Sequence, residues 1–88
     1  MNIEFFHGDG CGQCMAMAPI VKRISVEMGI QVKDYNVSEM DEDDPIFTEK
    51  DITTIPVIII NGDKKSVRFN GIKSENKLRD TIKELRKE

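Results

Sequence analysis

The chain contains little cysteine and little histidine, the residues on which disulfide-rich and zinc-centred folds depend. It has two cysteines, Cys11 and Cys14, and one histidine, His7. Two cysteines cannot build a disulfide-stabilised scaffold. A structural zinc ion takes four ligands, and only His7 would join the two thiols. A fold held together by cross-links or by zinc is therefore disfavoured, and the cysteine pair needs another explanation.

The chain also lacks an excess of basic charge and any long apolar segment. Its net charge of −3 gives no basic surface for nucleic acid or an anionic membrane. The longest apolar run, Ile55–Ile60, is too short to cross a bilayer. Met1–Glu4 lacks the basic start and apolar core of a signal peptide. We therefore expect a cytoplasmic monomer that binds neither nucleic acid nor membranes.

Apolar patterns and turn residues predict the order β-α-β-α-β-β-α in one domain of residues 1–88, because no linker or repeat divides the chain. A helix between the first two strands makes them parallel, with a right-handed crossover. The order predicts an α/β fold with a four-stranded mixed sheet flanked by helices. The predicted elements are strand 3–6, a helix from the cysteines to Gly29, strand 31–37, a short helix from Asp44-Pro45 to about Lys50, strand 56–60, a turn at Asn61-Gly62, strand 66–69, and a last helix capped by Ser74.

The two cysteines are separated by two residues and are predicted to lie between the first strand and the start of the first helix. Unpaired N–H groups and the positive end of the helix dipole stabilise a thiolate at such a position. Cys11 is expected to be the more exposed and to act as the nucleophile, with Cys14 as the resolving thiol. A zinc half-site and an incidental thiol pair remain as alternatives to this redox site.

Three motifs resemble the thioredoxin family, within the thioredoxin/glutaredoxin superfamily. They are Cys11-Gly12-Gln13-Cys14 followed by Met17-Ala18-Pro19, then Ile52-Thr53-Thr54-Ile55-Pro56, and finally Gly71-Ile72-Lys73-Ser74 with Leu78. The resemblance covers most of the chain, although an additional N-terminal strand and helix of thioredoxin are missing and the length is that of a glutaredoxin. It implies a minimal thioredoxin fold and a protein-disulfide reductase.

The same resemblance implies a cis peptide before Pro56 and a substrate site beside the cysteines. The substrate-binding residues it implies are Gly10, Gly12, Gln13, Ile55, Pro56 and Gly71. It further implies disulfide-containing protein substrates and a thioredoxin reductase-like partner, an NADPH-dependent flavoprotein that supplies electrons to the redox-active disulfide. No bound cofactor and no metal are expected.

Several residues depart from the family pattern. Gly10 stands where thioredoxin has tryptophan, and Gly12-Gln13 replaces its Gly-Pro dipeptide. The segment Asn70–Lys73 lacks the doubled glycine and the acid with which glutaredoxins bind glutathione, which disfavours glutathione use. A glutathione-dependent glutaredoxin, and a carrier of metal or an iron–sulfur cluster on the two thiolates, remain as alternative functions.

The buried acid of thioredoxin aligns with Phe5, and the lysine that partners this acid aligns with Asp34. Asp34 is predicted to lie beneath the active-site helix, partly desolvated, and we hypothesise that it replaces the missing acid as a general base for Cys14. The alternative is a solvated residue at the strand edge. His7 is expected to be a packing or loop residue rather than an acid–base group, and Met15 to be half exposed beside the site.

Overall fold

The computed structural model describes residues 1–87, and its elements follow the predicted order. Within that range there are four strands, three helices and one 3₁₀ turn. The elements are β1 (Asn2–His7), α1 (Gly12–Met28), β2 (Gln31–Asn36), the 3₁₀ turn (Val37–Glu39), α2 (Pro45–Glu49), β3 (Val57–Asn61), β4 (Ser66–Asn70) and α3 (Glu75–Arg86).

The four strands form one mixed sheet in the order β2-β1-β3-β4. β1 pairs in parallel with β2, as the crossover through α1 predicts, and Phe5 lies opposite Asp34 in that register. β3 is antiparallel to both β1 and β4. The predicted fold class is therefore confirmed, and β2 and β4 are the two edge strands.

The core lies on both faces of the sheet because side chains alternate along each strand. Ile3 and Phe5 of β1 pack on one face against residues of α1 and α3. Phe6, next in sequence, packs on the other face with Val57 and Ile59. The apolar run of β3 is buried on both sides, as expected for a central strand flanked by helices.

Helix α1 begins at the cysteines and ends at Gly29, as the sequence predicts. Cys11 is its N-cap, and Gly29 closes it with a φ of 66°, a left-handed conformation that glycine adopts without steric cost. Its buried side is formed by Cys14, Met17, Val21 and Ile24. No helix within residues 1–87 is long and apolar enough to cross a membrane.

The caps of the two shorter helices are also as predicted. The Asp44 side chain accepts a hydrogen bond of 3.0 Å from the N–H of Ile46 at the start of α2. The Ser74 hydroxyl accepts one of 3.1 Å from the N–H of Lys77 at the start of α3. Both contacts satisfy N–H groups that have no partner within the helix.

The hairpin between β3 and β4 turns later than predicted. Asn61 belongs to β3, and the loop closes through a 2.8 Å bond from the N–H of Gly62 to the carbonyl of Lys65. The Asn61 amide holds its residue in the strand because it donates to the side chains of Asn2 and Glu4, at 2.7 and 2.8 Å. The expected Asn-Gly turn is therefore wrong, although the hairpin itself is present.

Candidate active site

Cys11 and Cys14 are joined by a disulfide at the start of α1, with their Cα atoms 5.2 Å apart. The Sγ of Cys11 accepts a hydrogen bond of 3.2 Å from the N–H of Cys14. Cys11 is half-buried, whereas Cys14 is only 3% exposed. The predicted order of exposure is confirmed. After reduction, Cys11 is the sulfur that a large substrate can reach, and a helix N–H is placed to stabilise its thiolate.

The loop that leads to the cysteines packs directly against the loop that ends in Pro56. A Cβ placed on Gly8 would lie 2.8 Å from the Cδ1 of Ile55, so the contact depends on the missing side chain. The Ile55–Pro56 peptide is cis, as the family resemblance implies. The sequence identifies Gly8 only as a strand breaker, and no local signal predicts its contact with a residue so far along the chain.

Gly71 connects the Pro56 loop to the residues between the cysteines. Its N–H donates to the carbonyl of Pro56 at 2.9 Å. Its φ of 80° is left-handed, and a Cβ built there would lie 4.0 Å from the Oε1 of Gln13. Three segments that are distant in sequence therefore meet at one site: the cysteine loop, the Pro56 loop and the turn after β4.

Two large apolar side chains are exposed beside this site. Met15 follows Cys14 and is 73% exposed, and Ile72 follows Gly71 and is 54% exposed. We call Met15 and Ile72 the apolar rim. Gly10 and Gly12 are exposed, and a Cβ on either would meet nothing within 4 Å. Ile72 was not recognised from the sequence, since its place between Gly71 and the cap of α3 belongs to no periodic pattern.

Asp34 occupies the predicted face of β2 but not the predicted environment. It lines a groove of about 330 Å³ together with Ala18 and Lys22 of α1. Its side chain is 62% exposed, because β2 is an edge strand, so the expected partial desolvation is wrong. Its carboxylate lies 2.8 Å from the Nε2 of His7, and the His7 ring stacks on Phe5 with centroids 5.1 Å apart.

An ion-pair network links α1 to α3. The hydrogen bond from Arg23 holds the pKa of the Glu75 carboxyl below its usual value. The hydrogen bond from Arg79 lowers the pKa of Glu27 in the same way. Arg79 also bonds to Glu75 at 2.9 Å. The network fixes the helix that carries the cysteines against the helix that follows Gly71.

The cysteine pair is the chemically reactive feature of this site. Within residues 1–87, no three side chains of His, Cys, Asp or Glu come together to hold a metal ion. A dithiol at a helix start, with one reachable sulfur and one buried sulfur, can exchange disulfides through a mixed intermediate.

Comparisons with known proteins agree with this chemistry. The thioredoxin family model matches residues 2–84. The thioredoxin of Rickettsia felis is 34% identical over 79 residues, which are 88% of this chain and 73% of that protein. The structure of thioredoxin 1 from Thermosipho africanus has a TM-score of 0.79 and 28% identity, with 96% of this chain and 92% of that chain covered. The thioredoxin of Fasciola hepatica has a TM-score of 0.73 and 28% identity, over 93% of this chain and 77% of that one.

Proposed function

The chain belongs to the thioredoxin family, and on that premise we propose how its residues divide the work of a thiol–disulfide oxidoreductase. The family and the redox-active cysteine pair assign it the reduction of protein disulfides. The single observation that carries the division of roles is the difference in burial between the two sulfurs. Cys11 caps α1 and can meet a substrate, whereas Cys14 lies beneath it and can meet only Cys11.

The proposed reaction is two successive thiol–disulfide exchanges. The Cys11 thiolate attacks one sulfur of the substrate, forming a mixed disulfide and releasing the other substrate sulfur with its electron pair. Cys14 then loses its proton and attacks Cys11. The Cys11–Cys14 bond forms as the bond between Cys11 and the substrate breaks, and the second substrate sulfur leaves. The substrate gains two electrons and two protons, which the protein dithiol loses.

The proposed substrate site consists of the segments that meet around Cys11. We assign it Gly10, Gly12, Gln13, Ile55, Pro56 and Gly71, where the missing side chains of the glycines leave room for an extended chain. The Ile55 backbone is the proposed partner for substrate main-chain hydrogen bonds, as in strand addition to a sheet edge. The apolar rim would bury against the substrate on either side of its disulfide.

The proposal extends to the electron source and the setting. A thioredoxin reductase-like flavoprotein that uses NADPH would return the disulfide to the dithiol, in the cytoplasm, with the protein acting as a single-domain monomer. The segment Asn70–Lys73 supports this donor over glutathione, because it lacks the glutaredoxin pattern for glutathione.

An insulin-reduction assay with two electron sources tests the proposed function. Turnover should be supported by NADPH with a thioredoxin reductase, and glutathione with its own reductase should support little. Cys11→Ser serves as the inactive control in both systems. Equal or faster turnover with glutathione would identify glutathione as the electron donor in place of the reductase. No turnover with either electron source would reject the reductase function.

A further inference from the structure

His7 has a place and a partner that packing alone does not require. It is the last residue of β1, and strand alternation puts it on the same face as Ile3 and Phe5, which α1 covers. Stacking on Phe5 explains why the apolar face of the ring is partly buried. It does not account for the 2.8 Å contact between Nε2 and the carboxylate of Asp34 on the neighbouring strand.

The contact with Asp34 selects one protonation pattern of the ring. A carboxylate only accepts hydrogen bonds, so the Nε2 of a neutral His7 carries the proton and donates it to Asp34. Nδ1 is then unprotonated and available as a proton acceptor. Two further charged groups lie on the segments next to this pair: the Asp9 carboxylate accepts a hydrogen bond of 3.2 Å from Asn36, and Lys22 lines the groove with Asp34.

Cys14 needs such an acceptor at the same end of the sheet. It is a buried thiol in the first turn of α1, and it must lose a proton before it can attack Cys11. Residues 8–11 return the chain from the end of β1 to the start of α1. His7 is therefore the residue of β1, on the face beneath α1, that lies nearest in the chain to that first turn.

Exposure rises in steps from the buried sulfur to solvent. Cys14 is 3% exposed, and the side chains of His7 and Asp34 are 23% and 62% exposed. Asp34 opens into the groove beside α1. A proton path from the interior to water requires proton-carrying groups at successive depths, and Cys14, His7 and Asp34 lie at three such depths.

We propose that His7 and Asp34 form a proton relay for Cys14, a proposal that rests on the resolving role assigned to Cys14 above. The Cys14 proton passes through a bridging water to Nδ1 of His7, and Asp34 stabilises the resulting imidazolium. The Cys14 thiolate then forms the bond to Cys11, and the departing substrate thiolate takes up a proton. Asp34 is a positioning residue, because it acts through His7 and not on the sulfur.

A reaction with a symmetrical aromatic disulfide that releases a coloured thiolate separates the two exchanges. The first release reports the attack by Cys11, and the second reports the attack by Cys14. His7→Gln should slow the second release about tenfold or more, a low value for general base catalysis, and leave the first unchanged. Asp34→Asn should slow it less. The exposed neighbour Lys33→Gln should behave as the wild type.

Further readouts distinguish a proton relay from a structural effect. The pH dependence of the second release should differ between the wild type and His7→Gln, because the general base contributes to it only in the wild type. Imidazole added to His7→Ala should restore the second release. His7→Phe keeps a ring to stack on Phe5 and should be as slow as His7→Gln, which covers the case in which one variant fails to fold.

Two results would overturn these assignments separately. A second release with wild-type rate and pH dependence in folded His7→Phe or His7→Gln would reject the relay and leave the cysteine roles intact. A second release that persists in Cys14→Ser would reject the proposed role of Cys14, and the relay with it.

Because His7 is the chain's only histidine, NMR of the wild type gives an independent check. Its ring signals should change on reduction, and unchanged signals would also reject the relay.

Discussion

Gly8 is the residue through which the cysteine loop and the Pro56 loop hold their relative positions. A Cβ there would lie 2.8 Å from Ile55 Cδ1, 3.1 Å from Ser38 Oγ and 3.3 Å from Val37 Cγ2. All three distances are shorter than ordinary van der Waals contact, so a side chain at residue 8 would require these neighbouring side chains to shift. The site therefore depends on a residue that carries out no chemistry.

Gly8→Ala should destabilise the fold by about 1–3 kcal/mol, the usual cost of overpacking. Ile55→Val removes the methyl group in the closest contact, so it should cost less in the Gly8→Ala background than in the wild type. Urea denaturation of the two single variants and the double variant measures this coupling. Gly12→Ala is the matched control, since a Cβ at Gly12 meets nothing within 4 Å. If the losses of stability in the two single variants add up in the double variant, the Gly8–Ile55 contact is not the cause of the destabilisation by Gly8→Ala.

At the scale of elements, α1 and α3 are held together by charge as well as by their apolar faces. Arg23 of α1 pairs with Glu75 of α3, and Glu27 of α1 pairs with Arg79 of α3. Because Arg23 holds the pKa of Glu75 below its usual value, folding favours the ionised carboxylate.

This stabilisation is fully present at a pH above the pKa of Glu75 in the unfolded chain, about 4.3. It is lost as the pH falls through the lower pKa of Glu75 in the folded protein. Glu75→Gln should therefore lower the thermal stability at neutral pH and flatten its fall between about pH 5 and 3. Added salt should reduce the difference between the two proteins, since solvent reaches part of each of these side chains. Glu42→Gln, in the exposed acidic loop, is the control. Parallel pH profiles for wild type and Glu75→Gln would contradict the assignment.

The helices and strands could be predicted because their sequence signals are local. The side-chain contacts between distant segments could not. The helix from Cys11 to Gly29 and the Asp44-Pro45 start of α2 follow from caps and apolar spacing. The pairing of His7 with Asp34 depends on strand register and on two side-chain rotamers, neither of which the sequence pattern specifies. The prediction of a turn at Asn61-Gly62 was wrong for a related reason, because Asn61 lies in the strand and donates hydrogen bonds to the distant side chains of Asn2 and Glu4.

At the scale of the whole molecule, the sheet brings three separate motifs to one end and places exposed apolar groups around them. Cys11 lies at the centre, and the apolar rim of Met15 and Ile72 lies beside the cysteine helix and the Gly71 turn. The family resemblance predicted which segments would be functional. It did not predict the exposure of Ile72, which follows from the way the turn after β4 enters α3.

Met15→Glu and Ile72→Glu should each lower kcat/KM for a protein disulfide about fivefold, as expected for ~1 kcal/mol of lost apolar burial in the complex. The rate with a small aromatic disulfide should change little, because it contacts only the sulfur. Val26→Glu is the control, since Val26 is 77% exposed elsewhere on α1. Equal losses for large and small substrates would point to an effect on the cysteines instead of on docking.

The division of roles between the two sulfurs is tested most directly by mass spectrometry of the serine variants incubated with a disulfide-containing protein. Cys14→Ser should accumulate a mixed disulfide through Cys11, because the resolving thiol is absent. Cys11→Ser should accumulate none and should be inactive. A trapped species in Cys11→Ser, or full turnover in Cys14→Ser, would contradict the assignment of Cys11 as nucleophile and Cys14 as resolving thiol.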